Sequence, residues 1–353
     1  MTHTGMMPDP GRNGVQTGPG SRLARRRQSR GRQRRPRRTL TIAVAIIAMV
    51  AIAAGFVVYK RSTKSASPLP VHLPAAAGSY LGVNMKGIPA SYAGVTSFTS
   101  AIGTSPDVVM YYSGWYVPFP VKFADTAASN GAVPLVQMDP DILKPTEIAE
   151  IASGKYDGYL SAYAEAVRAY HHPVILSFGH EMNGTWSPWS YGHMSATDFV
   201  NDWRHIVTLF RELGAQNVTW LWTINIINDA KSGAAQIPNP EPWWPGSSYV
   251  NWVGIDGYYL KPSWEFAPLF GPTITAVRSF TNAPILIAET GATPASGQPA
   301  KIANLFAGVQ TYGLLGLVYY DNTNDIGQPF GLDGPAAIDA FRKGASTYHR
   351  PTS

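Results

Sequence analysis

From Tyr80 onward the chain repeats one pattern, a run of about six largely apolar residues followed by a longer stretch of mixed polarity. The runs are "YLGVNM" (80–85), "DVVMYYS" (107–113), "VPLVQM" (133–138), "PVILSF" (173–178), "VTWLWT" (218–223), "WVGIDGY" (252–258), "PILIAE" (284–289) and "LGLVYY" (315–320). Each has the length of a strand, and near-continuous apolarity marks strands buried on both faces. Between them, Asp157 to Tyr170, Thr197 to Leu213 and Ala300 to Tyr312 carry apolar residues at helical spacing. Strands of this type alternating with helices imply a parallel sheet covered on its outer face. Eight such units over residues 79–349 predict an α/β fold, a (β/α)8 TIM barrel with no second domain. The helical pattern between the first two strands is weak.

Before residue 79 the composition changes twice. Leu40 to Tyr59, "LTIAVAIIAMVAIAAGFVVY", is uncharged and, as a helix, would span about 30 Å, the thickness of a bilayer core. Residues 1–39 hold eleven arginines against the single Asp9, and only Lys60, Arg61 and Lys64 lie just beyond the apolar run. By the positive-inside rule this predicts a single-pass signal anchor over 40–59, with 1–39 as a cytoplasmic tail and the rest exported. A cleaved signal peptide and a secreted product is the alternative, although the run exceeds a usual h-region and lacks a clear A-x-A site. Residues 60–78, "KRSTKSASPLPVHLPAAAG", read as a tether.

The formal net charge of +6 suggests nucleic acid only until it is placed along the chain. Residues 65–353 carry fourteen Lys and Arg against twenty-one Asp and Glu, so the body is acidic and no nucleic-acid partner is expected. With no cysteine, the exported domain must rest on its core without disulfides or thiolate metal ligands.

A barrel of this kind works at the C-terminal ends of its strands. There the chain gathers carboxylates and aromatics: Asn84, Tyr112 to Tyr116, Gln137 to Asp139, His180 and Glu181, Asp256 to Tyr259, Glu289, and Tyr319 to Asn322. Two glutamates stand out, Glu181 in "FGHEMNGTWSPWS" and Glu289 in "PILIAETG". Opposed carboxylates across a barrel mouth suit hydrolysis of a glycosidic bond, one protonating the leaving oxygen and the other attacking. Trp186 and Trp189 would offer flat platforms to sugar rings, with His180 holding the geometry. Trp115 and Tyr320 complete the candidate binding set, and Trp243 and Trp244 in "EPWWPGS" are cleft candidates. A lone Glu at a strand end is more often an ion-pair partner; two, one flanked by His and Trp, reverse that reading. "HEMNG" is not a zinc site, because Gly184 stands where a zincin needs its second His. "NGT" at 183 has the form of a glycosylation sequon. No metal or organic cofactor is expected.

"GHEMNGTWSPW" resembles the signature of glycoside hydrolase family 26, the β-mannanase family, and "WVGIDGYY" and "PILIAETG" resemble its later strand motifs. The resemblance covers about Tyr80 to Tyr348 and implies a retaining β-glycosidase. By position it implies Glu181 as acid/base, Glu289 as nucleophile, and His180 and Tyr258 as hydrogen-bonding neighbours on the nucleophile's side. Trp186 would be an acceptor-side platform, and Asp256 would support the cleft. The family usually ends strand eight with a tryptophan, where this chain has "VYYDNTND". The expectation is therefore an endo-β-1,4-mannanase acting as a monomer on an extracellular β-linked polysaccharide. Mixed-linkage β-glucan, β-1,3-xylan, or a barrel that binds cell-surface glycan without cleaving it are the alternatives.

Overall fold

A computed structural model describes residues 73–227 and 238–348. The arginine-rich tail, the apolar run Leu40 to Tyr59 and most of the tether lie outside the described residues. Among the described residues no helix is long and apolar enough to cross a membrane.

Eight parallel strands close into a barrel in sequence order: β1 (Tyr80–Met85), β2 (Val108–Gly114), β3 (Val133–Asp139), β4 (Val174–Phe178), β5 (Val218–Asn225), β6 (Trp252–Tyr259), β7 (Ile285–Ala292) and β8 (Gly316–Asp321). All eight apolar runs become strands, and all but β1 and β4 extend beyond their runs at the C-terminal end. The last seam joins β1 to β8 from Tyr80 opposite Gly316 to Met85 opposite Asp321. Closure there requires glycine: at φ 157° a Cβ on residue 316 would stand 1.8 Å from the Tyr80 carbonyl oxygen.

Side chains alternate about the barrel wall. Val108 and Met110 of β2, Leu135 of β3, Ile175 of β4, Leu221 of β5 and Leu286 of β7 fill the interior, while Val109, Val136, Leu176 and Val253 join the larger core beneath the helices. Two apolar cores, one on each face of every strand, are why the runs lack a polar alternation. Each such aliphatic side chain contributes about 1.5–3 kcal/mol by burial.

The helices are α1 (Ala93–Ile102), α2 (Val121–Ser129), the single turn α3 (Pro145–Ile148), α4 (Asp157–Tyr170), α5 (Ala196–Glu212), α6 (Phe266–Arg278), α7 (Gln298–Thr311) and α8 (Gly334–Ala345). The weakly marked segment after β1 does form a helix. Its middle, "TSFTS", is poor in helix formers, and the hydroxyls of Thr96, Ser97 and Ser100 turn back to the carbonyls of Tyr92, Ala93 and Thr96. Val95, Phe98 and Ile102 nevertheless share one buried face, and their packing outweighs that propensity. On the far side, α5 begins at Ser195, whose hydroxyl accepts the Asp198 N–H at 3.1 Å. It packs Phe199, Trp203 and Phe210 against Phe178 and Trp220, so Trp220 belongs to the core as its strand position implies. Trp222 also packs, against Trp244 and Phe280.

Candidate active site

At the C-terminal mouth a cavity of about 910 Å³ is lined by Glu181 and Glu289 together with Tyr112, His180, Trp186, Tyr258 and Tyr320. The alternation inside the barrel leads to it directly. Above the interior residues Val108 and Met110 comes Tyr112; above Trp252 and Gly254 come Asp256 and Tyr258; above Val318 comes Tyr320.

The two glutamates reach the same cavity by breaking that regularity. In β7, Leu286 and Ala288 both belong to the barrel interior, so strict alternation would turn Glu289 outward. The ladder instead slips by one residue: Ile255 stands opposite Ile287 but Asp256 opposite Glu289, and the β8 side shifts over the same residues. This bulge re-aims Glu289 into the mouth, a common use of bulges beside functional sites. Beyond β4, Gly179 and Glu181 both adopt left-handed backbone, at φ 55° each. For a non-glycine residue such a conformation costs about 1–3 kcal/mol and persists where surroundings over-determine it. Here the Glu181 N–H donates to the Thr223 carbonyl at 2.9 Å, and Asn225 Nδ2 donates to Glu181 Oε1 at 2.6 Å.

Glu289 accepts hydrogen bonds from two tyrosines, Tyr112 O–H on Oε2 and Tyr258 O–H on Oε1. Burial and then the Glu181 charge raise the Glu289 carboxyl above its ordinary value, while His180 and the two tyrosine donors oppose that rise. Both phenols are pushed well above the usual tyrosine range, first by burial and then by the Glu289 charge, so both keep the proton they donate. His180 Nδ1 lies 2.9 Å from Asp139 Oδ1. Burial works against the charged ring, but the carboxylates of Asp139, Glu181 and Glu289 push its pKa up to about 9, making it an imidazolium at neutral pH.

Trp186 takes its expected place, but Trp189, Trp115, Asp256 and Trp243 sit elsewhere. Trp186 lines the mouth and is 47% exposed, and it explains Gly184, because a Cβ there would meet the Trp186 ring at 2.5 Å. Trp189, expected as a second platform, is buried; its Nε1–H donates to the His180 carbonyl at 2.7 Å and its ring backs Gly179, so it braces the turn from within. Trp115 is buried against Tyr156, Tyr159 and Phe178 and does not line the mouth cavity. Asp256 is fully buried, below the reach of a ligand, with its charge felt by both tyrosines. Trp243 is buried against Tyr191. His180, expected to bond on the nucleophile's side, bonds to Asp139 instead; Tyr112 takes that place beside Tyr258. Tyr320 lines the cavity and meets Tyr258 edge-on, with Phe330 completing the group. The sequence reading passed over Tyr112, Asp139 and Asn225 as individual site residues, and the β8 loop at 322–326, which forms one wall. Interior parity from Val108 and Met110 would have singled out Tyr112. Among the described residues no group of three or more His, Cys, Asp or Glu is placed to hold a metal ion.

Comparison with known proteins gives this site its relatives. Residues 146–295 match the model of Glycosyl hydrolase family 26. Endoglucanase H of Acetivibrio thermocellus is 30% identical over 61% of this chain and 24% of its own length. Beta-1,3-xylanase TXYA of a Vibrio species is 28% identical over 48% of this chain and 36% of its own. The chain thus spans about a quarter to a third of the length of these relatives. The catalytic domain of an endo-beta-1,4-mannanase from Bacillus sp. JAMB-750 shares the fold, with a TM-score of 0.58 at 14% identity over 76% of this chain and 85% of that one. With the motif around Glu181 inside the matched segment and both glutamates at one barrel mouth, this chain is similar to Glycosyl hydrolase family 26 over residues 146–295.

Proposed function

We propose that the chain is a retaining endo-β-glycosidase of a neutral β-linked polysaccharide, with β-1,4-mannan as the leading substrate, Glu289 as nucleophile and Glu181 as acid/base. The observation that carries this is the unequal equipment of two carboxylates in one cavity. Glu289 accepts two tyrosine O–H bonds and faces the His180 cation, three interactions that all favour its ionised form. Glu181 accepts one amide N–H and lines the same cavity as the exposed Trp186, on whose ring a leaving sugar would rest.

In the first step Glu289 Oε attacks the anomeric carbon, the glycosidic C–O bond breaks, and the leaving oxygen takes the Glu181 proton. In the second, Glu181 removes a proton from water, whose oxygen attacks the same carbon and displaces Glu289. A cavity of about 910 Å³ that opens between the β4 and β8 loops has room for an internal segment of a chain. Reducing-end release from galactomannan, glucomannan, barley β-glucan and β-1,3-xylan tests the reading. Mannans should be cleaved fastest, with retention at the new anomeric centre; no release from any of the four would overturn it.

One second reading has its own support. Tyr320 with Phe330 stands where the resemblance leads one to expect a tryptophan, and the 30% identical relative is named an endoglucanase. A narrower stacking surface together with that kinship favours β-glucan, and faster cleavage of barley glucan than of mannan would select it. For location we propose a cytoplasmic N-terminus, an uncleaved anchor over 40–59 and an exported barrel. N-terminal sequencing of the mature protein checks this, since a start near Ser65 would mean a cleaved signal and a free enzyme.

A further inference from the structure

Asn183 has the sequence context of a glycosylation acceptor, yet it is completely buried. Its amide is instead spent on the backbone of Asn225 at the end of β5: Nδ2 donates to the Asn225 carbonyl at 2.8 Å, and Oδ1 accepts the Asn225 N–H at 2.9 Å. The place of this pair in the sheet is informative. Residue pairing between β4 and β5 runs from Val174 opposite Val218 to Leu176 opposite Trp220, but β5 continues to Asn225. Along that edge Thr223 O receives the Glu181 N–H, and two residues further on the Asn183 side chain serves both backbone groups of Asn225. One primary amide thus replaces the missing peptide of a neighbouring strand, and the rim of β5 stays satisfied where β4 has already turned away.

The replacement bears on Glu181, because Asn225 is the residue whose Nδ2 donates to Glu181 Oε1 at 2.6 Å. The donor's backbone is therefore fixed by a side chain two residues past the acceptor, within the same turn that holds Glu181 at φ 55°. Neither asparagine lines the cavity. A bond of this length to a charged oxygen is stronger than a neutral one and is made best to the carboxylate.

Building on the assignment of Glu181 as acid/base, we propose that Asn183 and Asn225 are positioning residues. Asn183 locks the end of β5 so that Asn225 holds the Glu181 carboxyl in one orientation and stabilises the anion left when its proton departs. Losing that donor leaves the aim of Glu181 free, which matters only where the leaving group needs a proton.

The test uses Asn225→Ala and Asn183→Ala, with kcat/KM measured on aryl β-glycosides of graded leaving-group acidity and on the polysaccharide. Asn225→Ala should lose about 10–100-fold on the polysaccharide and on poor leaving groups, but less than about threefold on dinitrophenyl glycosides. Asn183→Ala should show the same pattern at smaller amplitude. Equal losses across all leaving groups would overturn the proposal and leave the pair as structural. If Asn225→Ala does not fold, Asn225→Ser and folded Asn183→Ala carry the same comparison. Should Glu181→Ala itself show no leaving-group dependence, the acid/base assignment fails rather than the clamp.

Discussion

Glu289→Ala is expected to abolish turnover on every substrate, because without the attacking carboxylate no glycosyl-enzyme forms. Glu181→Ala is expected to behave differently. On polysaccharide it should lose about 10²–10⁴-fold, the usual worth of a general acid. On dinitrophenyl glycosides, whose leaving group needs little help, the first step should survive and the intermediate accumulate, since its hydrolysis has lost a base. Azide needs no base, so it should rescue Glu181→Ala and yield a glycosyl azide of retained configuration. The measurement is product analysis by proton NMR with and without azide. An azide effect confined to Glu289→Ala, with inverted product, would remove the support for Glu181; full activity in both variants would make the pair structural.

Asp139→Asn should alter the pH behaviour more than any other single change at the rim. The Asp139 carboxylate is the nearest partner of the His180 ring, at 2.9 Å, and its charge and hydrogen bond are the largest influences raising the imidazole to about 9. The other charged and titratable groups facing this cluster are Glu181, Glu289, Asp256, Tyr112 and Tyr258. Removing a close opposite charge typically moves a pKa by about 1–3 units, and burial then pulls His180 down, so the ring should be neutral at pH about 7. Glu289 would lose a cation that favours its ionised form, and the acidic limb of kcat/KM should move to higher pH. On that limb activity falls about tenfold per unit of displacement. Stability should follow with a definite sign. A folded-state pKa of about 9 against an ordinary 6.5 contributes stability that is complete below about pH 6.5 and disappears as pH rises through about 9. Asp139→Asn should therefore flatten the fall in stability between those values. Nitrogen-15 titration of His180, with urea melts at both ends of the range, checks the two claims. An imidazole in Asp139→Asn that still holds its proton at pH 8 would refute them.

Much of this molecule can be read from period alone. Runs such as "PVILSF" and "LGLVYY" are apolar on both faces because each strand meets one core inside the barrel and another beneath the helices. That locally encoded demand is why the strands appear where the pattern puts them. The same rule carries the order Val108, Met110, Tyr112 to the rim. Helices are less legible where polar residues dilute the signal, as in α1, whose three buried apolar positions count only once a sheet exists for them to pack against.

What the sequence determined by itself is the set of eight strands, the closed parallel barrel they imply, and the two glutamates as the chemically unusual residues at its rim. These depend on hydrophobic period and residue type, which are local properties of the chain. Only the tertiary structure decided where the side chains point. By parity Glu289 belongs outside, and it reaches the cavity because β7 carries an extra residue between its two neighbours. Two tryptophans three residues apart in one irregular loop went opposite ways, Trp186 to the mouth and Trp189 under the His180 carbonyl, where its ring backs Gly179 and its Nε1–H donates to that carbonyl. The donors that equip the carboxylates, Tyr112 from β2, Tyr258 from β6 and Asn225 from β5, lie 31 to 177 residues from their acceptors in sequence. Hydrogen bonds reach about 3 Å in space and carry no sequence range, so partners brought together by barrel closure leave no local mark in the chain.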